Sequence, residues 1–473
     1  MSDDLWKLGA VDLAAQIRTK TISAKEAVNA TLTRVARTNP ALNAIVDDCS
    51  HDAREEAAEL DRILVESGPV GPLHGVPVTV KENIDQKGYA NPNGVTALKD
   101  VIAPGDSPVV RNLKRAGAII IGRTNTPEFS MRGTTVNELH GRTYNPWNDW
   151  SSSGGSSGGA SSAVMAGMGT LAHGNDIAGS LRYPSAATGA TSVKPGLGRV
   201  PAWNPSQTAE RGLVAQLMSV QGVVAREVKD VRAGLQSLIH YDAHDPWMAP
   251  MPFDGPPVEG KTKVAFTKKG CGQPLHPAVD KAMDAARDML LDAGYEVVEP
   301  QFPDIEKTAK LAGGCLFGEF KVLVDDAIRT HGSATINSIF DTYYELMPPL
   351  EGDDLIRGMA ERSHHVRQWQ LFLQDYPLLL TPFLPVPTYA WDRDAQGVEG
   401  AREVLGGAHW SYGMNFLGIP AGSIASRFDD EIGMPVSIQI VGQRWREDLI
   451  CNACEEIESR AGIMAKRLWD VMA

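Results

Sequence analysis

The sequence predicts an α/β protein built on a central, mixed and twisted β-sheet with helices covering both of its faces. Three observations lead there. Helical and β-type hydrophobic periods alternate through most of the 473 residues, the pattern of helices layered on a sheet. One unit, a proline-initiated helix stopped by glycine and followed by a β-branched run, occurs at residues 107–121 and again at 277–298. The chain also carries 46 glycines and 30 prolines, rich in turns yet short of a low-complexity composition.

The elements follow in order. Ser23-Ala-Lys-Glu26 is a capping box that opens a helix through Ala27, Val28, Leu32 and Val35, expected to stop at Asn39-Pro40. A second helix is expected from Asp52 to Ser67, ending at Gly68. Val76-Pro-Val-Thr-Val80 is a short β-branched run, read as a central strand whose end delivers Lys81. Ser107 and Pro108 start a helix that Gly117 ends, before the buried strand Ala118-Ile-Ile-Ile121. The small-residue run Ala163–His173 is expected to pack as a tight helix, and the proline-rich residues 240–260 as an irregular surface connection. Pro277 begins the next helix, Gly294 ends it, and Tyr295–Val298 is a strand.

Residues 311–412 read as mostly helical, with Phe317, Phe340, Tyr343, Tyr344, Trp369, Phe372, Trp410 and Tyr412 among their aromatics. Core packing accounts for most of these rings, and an apolar pocket for the remainder. Pro435–Val441 is a strand ahead of a helix that contains Cys451 and Cys454.

Composition excludes several function classes. A net charge of −13 and no basic run oppose a nucleic-acid or anionic-membrane surface. The opening Met1-Ser-Asp-Asp-Leu-Trp-Lys7 lacks the pattern of a signal peptide, and no stretch approaches the ~20 apolar residues of a membrane span; the expectation is a cytoplasmic protein. Five cysteines are too few and too scattered for a disulfide framework. Cys451 and Cys454 have no second pair or nearby His to complete a metal site, so they are read as small apolar residues on a helix face.

The chemistry concentrates where the glycine does. In Ser151–Ser162 eleven of twelve residues are Gly or Ser. Such a stretch alone would be a flexible linker, but the apolar run that follows it places it inside a domain. A second glycine-serine turn comes next, Asn175-Asp-Ile-Ala-Gly-Ser-Leu-Arg-Tyr-Pro184. A serine hydroxyl needs a base. Gly154-Gly-Ser-Ser-Gly158 formally fits the nucleophile elbow of α/β-hydrolases, but Asn145–Ser153 cannot form the strand that an elbow serine must follow. The chain has no Ser-x-x-Lys, which removes the penicillin-binding type. A lysine can serve instead if burial keeps it neutral, and Lys81, at the end of an apolar strand, is placed for that.

These segments resemble the amidase signature family. The likeness rests on Gly154–Gly167, on Asp176-Ile-Ala-Gly-Ser-Leu-Arg-Tyr-Pro184 and on the lysine motif Gly75-Val-Pro-Val-Thr-Val-Lys-Glu-Asn-Ile-Asp85. Lys81 and Ser156 are separated by 75 residues, and Ser180 follows Ser156 by 24, as in the family. Further likeness covers Gly122–Phe129, Asn145–Trp147, Lys194–Pro201 and Gly433–Gly442, and fails only in the middle helical segment.

The resemblance implies the amidase signature fold as a single domain over 1–473, with N-terminal helices over 1–68, a core over 70–200 carrying the lysine and the Gly/Ser motif, and a variable substrate-pocket region over 300–412. It implies an amidohydrolase acting on a small-molecule amide, or a related anilide, hydrazide or ester, with no metal or organic cofactor, and it is compatible with a homodimer. Ser180 would be the nucleophile, Ser156 on a cis peptide the proton relay, and neutral Lys81 the base. Backbone N–H groups of Ile177, Ala178, Gly179 and Ser180 would form the oxyanion hole, with Asp176 and Arg182 bracing the turn as an ion pair. Ala178 and Asn175 depart from the family, which usually has Gly and Thr or Ser there. Ala178 fits only if its φ is negative. Phe129, Met131, Tyr343, Tyr344, Trp369 and Trp410 are the candidate pocket wall.

Two alternatives stay open. One is the glutaminase subunit of a tRNA-dependent amidotransferase, with the same chemistry; the aromatic middle segment favours a larger acyl or aryl group over glutamine. The other is a noncatalytic binding protein that keeps the fold, against which stand all three catalytic residues at family spacing.

Overall fold

The computed structural model describes residues 2–472. Its strands, in chain order, are β1 (Ile45–Asp48), β2 (Pro77–Lys81), β3 (Ile119–Thr124), β4 (Val136–Asn137), β5 (Gly141–Arg142), β6 (Leu171–Asp176), β7 (Thr191–Lys194), β8 (Val220–Ala225), β9 (Lys263–Phe266), β10 (Glu296–Val298), β11 (Leu378–Pro382), β12 (Ala421–Asp429) and β13 (Met434–Gly442). β4 and β5 pair only with each other. The other eleven form one mixed sheet in the order β1-β3-β2-β6-β8-β7-β12-β13-β11-β9-β10. Both faces are buried: the neighbours Val223 and Val224 on β8, and Ile424 and Ala425 on β12, belong in each case to different core clusters, as the two-residue period of a strand requires.

The element that positions the chemistry is β2. Every one of its residues is buried, and it lies parallel to β3 on one side and to β6 on the other. The β-branched runs in β2 and β3 suit strands covered on both faces. Because β2 and β6 are adjacent and parallel, with Val78 opposite Leu171, their carboxyl ends emerge together. Lys81 therefore meets the Asn175-Asp176 end of β6, the edge at which α/β sheets place their ligands.

Two sequence expectations are corrected, and two helical regions each gain one strand. The capped helix runs over Ala24–Leu42, past Pro40. A proline in the last turn costs only one helical N–H, and the true stop is left-handed Asn43, aided by Asn39, whose Oδ1 accepts the N–H groups of Ala44 and Ile45 at 2.9 Å. The run Ala163–His173 is not one helix; the helix Gly158–Met165 ends and Leu171–His173 enter the sheet between β2 and β8. The helical middle segment contains β11, inserted between β13 and β9. The three leucines Leu378–Leu380 between Pro377 and Pro382 are too few to distinguish strand from helix by period, and pairing decides. The N-terminal helices also enclose a strand, β1, paired antiparallel to β3.

Residues 239–262 form neither helix nor strand. Cys451 and Cys454 are buried in the helix Glu447–Ala461, and burial pushes the Cys451 thiol up to about 12. Among the described residues no helix is long and apolar enough to cross a membrane, and no group of three or more His, Cys, Asp or Glu side chains is arranged to hold a metal.

Candidate active site

Lys81 is wholly buried. Its Nζ lies 2.7 Å from Ser156 Oγ and donates to Asn175 Oδ1 at 2.8 Å. Desolvation disfavours the ammonium and brings its pKa from 10.5 down to about 7, against the opposing pull of the Asp176 and Glu82 carboxylates. The Lys81 backbone N–H points to His173 Nδ1 at 3.4 Å, and His173 Nε2 is 2.9 Å from Gln221 Oε1. Burial holds that imidazole neutral, its pKa down at about 3.

The Gly/Ser stretch is an ordered, buried loop, and its hydroxyls serve as internal hydrogen-bond donors. Ser152 Oγ reaches Thr134 Oγ1 at 3.0 Å, Ser153 Oγ the Thr143 carbonyl at 3.2 Å, Ser161 Oγ the Pro184 carbonyl at 2.9 Å and Ser162 Oγ the Tyr144 carbonyl at 2.8 Å. These contacts supply what the Gly/Ser composition lacks, a reason to order. The loop's peptide bond Gly155–Ser156 is cis. A Cβ at Gly155 would sit 2.3 Å from the Arg132 carbonyl oxygen, so only glycine lets the loop approach this closely.

The turn after β6 is clamped by one carboxylate. Asp176 Oδ1 accepts the Gly179 N–H at 2.7 Å and Oδ2 accepts the Leu181 N–H at 3.1 Å. Arg182 binds both oxygens, through Nη2 and Nε, each at 3.1 Å. Burial alone would raise the Asp176 carboxyl, but Arg182, Lys194 and the backbone N–H groups outweigh it and hold the pKa near 2. Arg182 also donates to Gln439 Oε1 at 2.7 Å and to the Ser411 carbonyl at 3.2 Å. Asn415 Nδ2 closes the cage on Asp176 Oδ1 at 2.9 Å.

Within this turn the left-handed residue is Gly179, with φ of +121° and room for a Cβ denied by Ser411 Oγ at 2.3 Å. Ala178 is not among the positive-φ residues, so its side chain is accommodated. Gly179 is a correction to the expected oxyanion hole, because its N–H is committed to Asp176. The N–H groups of Ile177, Ala178 and Ser180 make no hydrogen bond among the described residues.

Ser156 and Ser180 open into one cavity of about 560 Å³. Ser180 Oγ makes no hydrogen bond among the described residues; the tight link is the one between Lys81 and Ser156. Of the expected wall, Phe129, Met131 and Tyr343 line the cavity, joined by Phe317, Phe340 and Tyr412, rings the sequence had left among core aromatics. Tyr344, Trp369 and Trp410 do not line it. Tyr344 stands behind the wall, edge-on to Phe317 and Phe340, with its hydroxyl donating to Asp325 Oδ1 at 3.2 Å. Trp410 and Trp369 pack with Phe302 in a separate cluster against β11 and β13, and Trp410 Nε1 donates to the Lys269 carbonyl at 2.9 Å. The helix His409–Leu417 explains the exchange: residues two apart point to nearly opposite sides, so Tyr412 faces the cavity and Trp410 the core.

Sequence reasoning missed Asn83, which Asn175 Nδ2 reaches at 2.9 Å, as well as Ser411, Asn415 and Gln439 around Arg182. Asn175 stood out only as a departure from the family; its hydrogen bond to Lys81 joins residues 94 apart in sequence, beyond any local signal.

The family model described as Amidase matches residues 26–451. An indoleacetamide hydrolase of Bradyrhizobium diazoefficiens is 45% identical over 469 residues, covering 99% of this chain and 89% of the relative. An acylamidase of Rhodococcus erythropolis is 32% identical, covering 96% of each chain. The solved structure of 6-aminohexanoate cyclic dimer hydrolase with its substrate superposes with a TM-score of 0.81 at 26% identity, covering 96% of this chain and 97% of the other.

Proposed function

The chain belongs to the amidase signature family and is an amide-cleaving hydrolase, and from that premise we propose that it hydrolyses the primary amide of an arylacetic acid, of the indoleacetamide type, to the acid and ammonia. Lys81, in the neutral form that gains population as pH rises through about 7, takes a proton from Ser156 as Ser156 takes one from Ser180. Ser180 Oγ attacks the amide carbonyl, and the oxyanion is met by the free N–H groups of Ile177, Ala178 and Ser180. The relay then runs backwards: the proton passes through Ser156 to the nitrogen, the C–N bond breaks, and ammonia leaves an acyl-Ser180 ester. Water, deprotonated by the same path, attacks that ester; the bond from the acyl carbon to Ser180 Oγ breaks, the proton returns through Ser156 to Ser180, and the carboxylic acid is released.

One observation carries this reading. A fully buried lysine amine of depressed pKa stands 2.7 Å from the hydroxyl of Ser156, at a cavity whose lining includes the rings of Phe129, Phe317, Phe340, Tyr343 and Tyr412. The named substrate of the 45% identical relative supports a planar aryl group against that wall. All of these groups come from one chain, so turnover is expected of a monomer as well as of a homodimer.

The test is a panel of indoleacetamide, phenylacetamide, acetamide and glutamine with the purified protein. Turnover of the aryl amides with glutamine inert is expected. Glutamine as the preferred substrate would instead favour the amidotransferase glutaminase. Wild-type turnover by a folded Ser180→Ala variant would overturn the catalytic assignment.

A further inference from the structure

A neutral lysine amine has two N–H bonds and one lone pair, and it can accept the Ser156 proton only if that lone pair faces Ser156 Oγ. Among the described residues Lys81 Nζ has two hydrogen-bond partners, Ser156 Oγ and Asn175 Oδ1. An amide oxygen has lone pairs and no hydrogen, so it can take an N–H from Lys81 but can never fill the lysine lone pair. A threonine or serine hydroxyl at 175 could do either. The amide of Asn175 is itself held against rotation. Its Nδ2 donates to Asn83 Oδ1 at 2.9 Å, and Asn83 Nδ2 donates to Ser130 Oγ at 2.9 Å, whose hydroxyl in turn reaches Asn93 Oδ1 at 2.6 Å. Turning Asn175 over would set its NH₂ against the lysine amine and its oxygen against Asn83 Oδ1.

We propose that Asn175 and Asn83 are positioning residues, a locked amide pair that occupies one Lys81 N–H and so aims the lysine lone pair at Ser156. Asn175 acts directly on the base, and Asn83 acts only through Asn175. This proposal rests on Lys81 being the base. The charged groups facing Lys81 are Asp176 and Glu82, with neutral His173 behind its backbone. None of these can take the place of the amide, since Asp176 is committed to Gly179, Leu181 and Arg182, and Glu82 Oε1 to the Gly94 N–H and Oε2 to His140 Nε2.

A double-mutant cycle on kcat and KM with an aryl amide tests it, using Asn83→Leu, Asn175→Thr and the pair. Asn83→Leu alone should lower kcat about tenfold or more at unchanged KM, the scale of misaligning a reacting group. In the Asn175→Thr background, where no amide needs locking, it should cost less than threefold. Equal losses in the two backgrounds, or a kcat for Asn83→Leu within threefold of wild type, would overturn the proposal. Should either variant fail to fold, the isosteric Asn175→Asp replaces the cycle. It puts a carboxylate on the amine, and the acid limb of kcat/KM should move up by more than half a pH unit; a smaller movement overturns the contact. Failure of the base assignment would look different: Lys81→Ala would keep wild-type turnover, whereas failure of the positioning proposal alone leaves Lys81→Ala inactive.

Discussion

The floor of the cavity and its far wall are made of different materials. From Lys81 through Ser156 to Arg182 the floor is a lattice of buried polar groups: Asp176 alone accepts from the backbone N–H groups of Gly179, Leu181 and Arg182 and from the Arg182 and Asn415 side chains. The wall, on the helices Ile305–Leu323 and Ala334–Leu346, is a cluster of Phe317, Phe340 and Tyr343 whose rings meet edge-on or tilted with centroids 6.1–6.5 Å apart. Hydrogen bonds have narrow distance and angle limits, and a buried polar group left unpaired costs about 1–3 kcal/mol. Ring packing has no such directional requirement, and a lost ring is partly recovered by neighbours settling in. The floor therefore fixes the reaction and tolerates little substitution, while the wall can change and with it the acyl group accepted.

That contrast orders the expected effects of substitution. Ser180→Ala removes the proposed nucleophile and should lower kcat by about 10³-fold or more with an unchanged circular dichroism spectrum. Lys81→Met should be nearly as inactive yet more stable. The folded protein holds this amine near 7 whereas the unfolded chain holds it at 10.5, so wild-type stability rises with pH between those values. The stability gain of Lys81→Met, on the order of a few kcal/mol at most, should be largest below pH 7 and fade toward pH 10, as read by thermal unfolding at pH 6 and pH 9. In the wild type, kcat/KM should rise through pH 7 as Lys81 loses its proton.

Asp176→Asn breaks a buried ion pair and the turn it clamps. A stability loss of about 3–5 kcal/mol is expected, together with reduced kcat, measured by denaturant unfolding and steady-state kinetics. On the wall, Phe317→Ala should raise KM for aryl amides about tenfold, since burying such a ring is worth roughly 1.5–3 kcal/mol, while acetamide hydrolysis stays within about twofold. Equal loss on both substrates would break the division between floor and wall. The smallest effect belongs to Trp369→Phe. This ring packs outside the cavity, so a stability change of about 1 kcal/mol with unchanged relative rates across the amide panel is expected.

How much could be read in advance followed the same division. The floor lies in local segments: a β-branched run ending in Lys81, a Gly/Ser loop and a turn with Asp176 and Arg182 six residues apart. Local chemistry marks each of them. The wall had no such mark, because aromatic side chains on an amphipathic helix look alike whether they face a cavity or a core. Trp410 and Tyr412 are two residues apart on one helix, and only the packing of that helix says which of them meets the cavity. Asn83 carries no local mark for another reason, since what singles it out is a contact between the turn after β2 and the end of β6, 92 residues further along the chain.

By itself the sequence determined the α/β class, the strand that carries Lys81 and the two glycine-serine turns, since capping residues, β-branched runs and glycine act over a few neighbouring positions. Tertiary structure alone decided that β11 would be inserted between β13 and β9, that the Gly179 N–H would belong to Asp176, and which aromatics would face the cavity. Those outcomes depend on contacts between residues far apart in the chain. A hydrophobic period records that a side chain is buried, and it carries no information about which partner buries it.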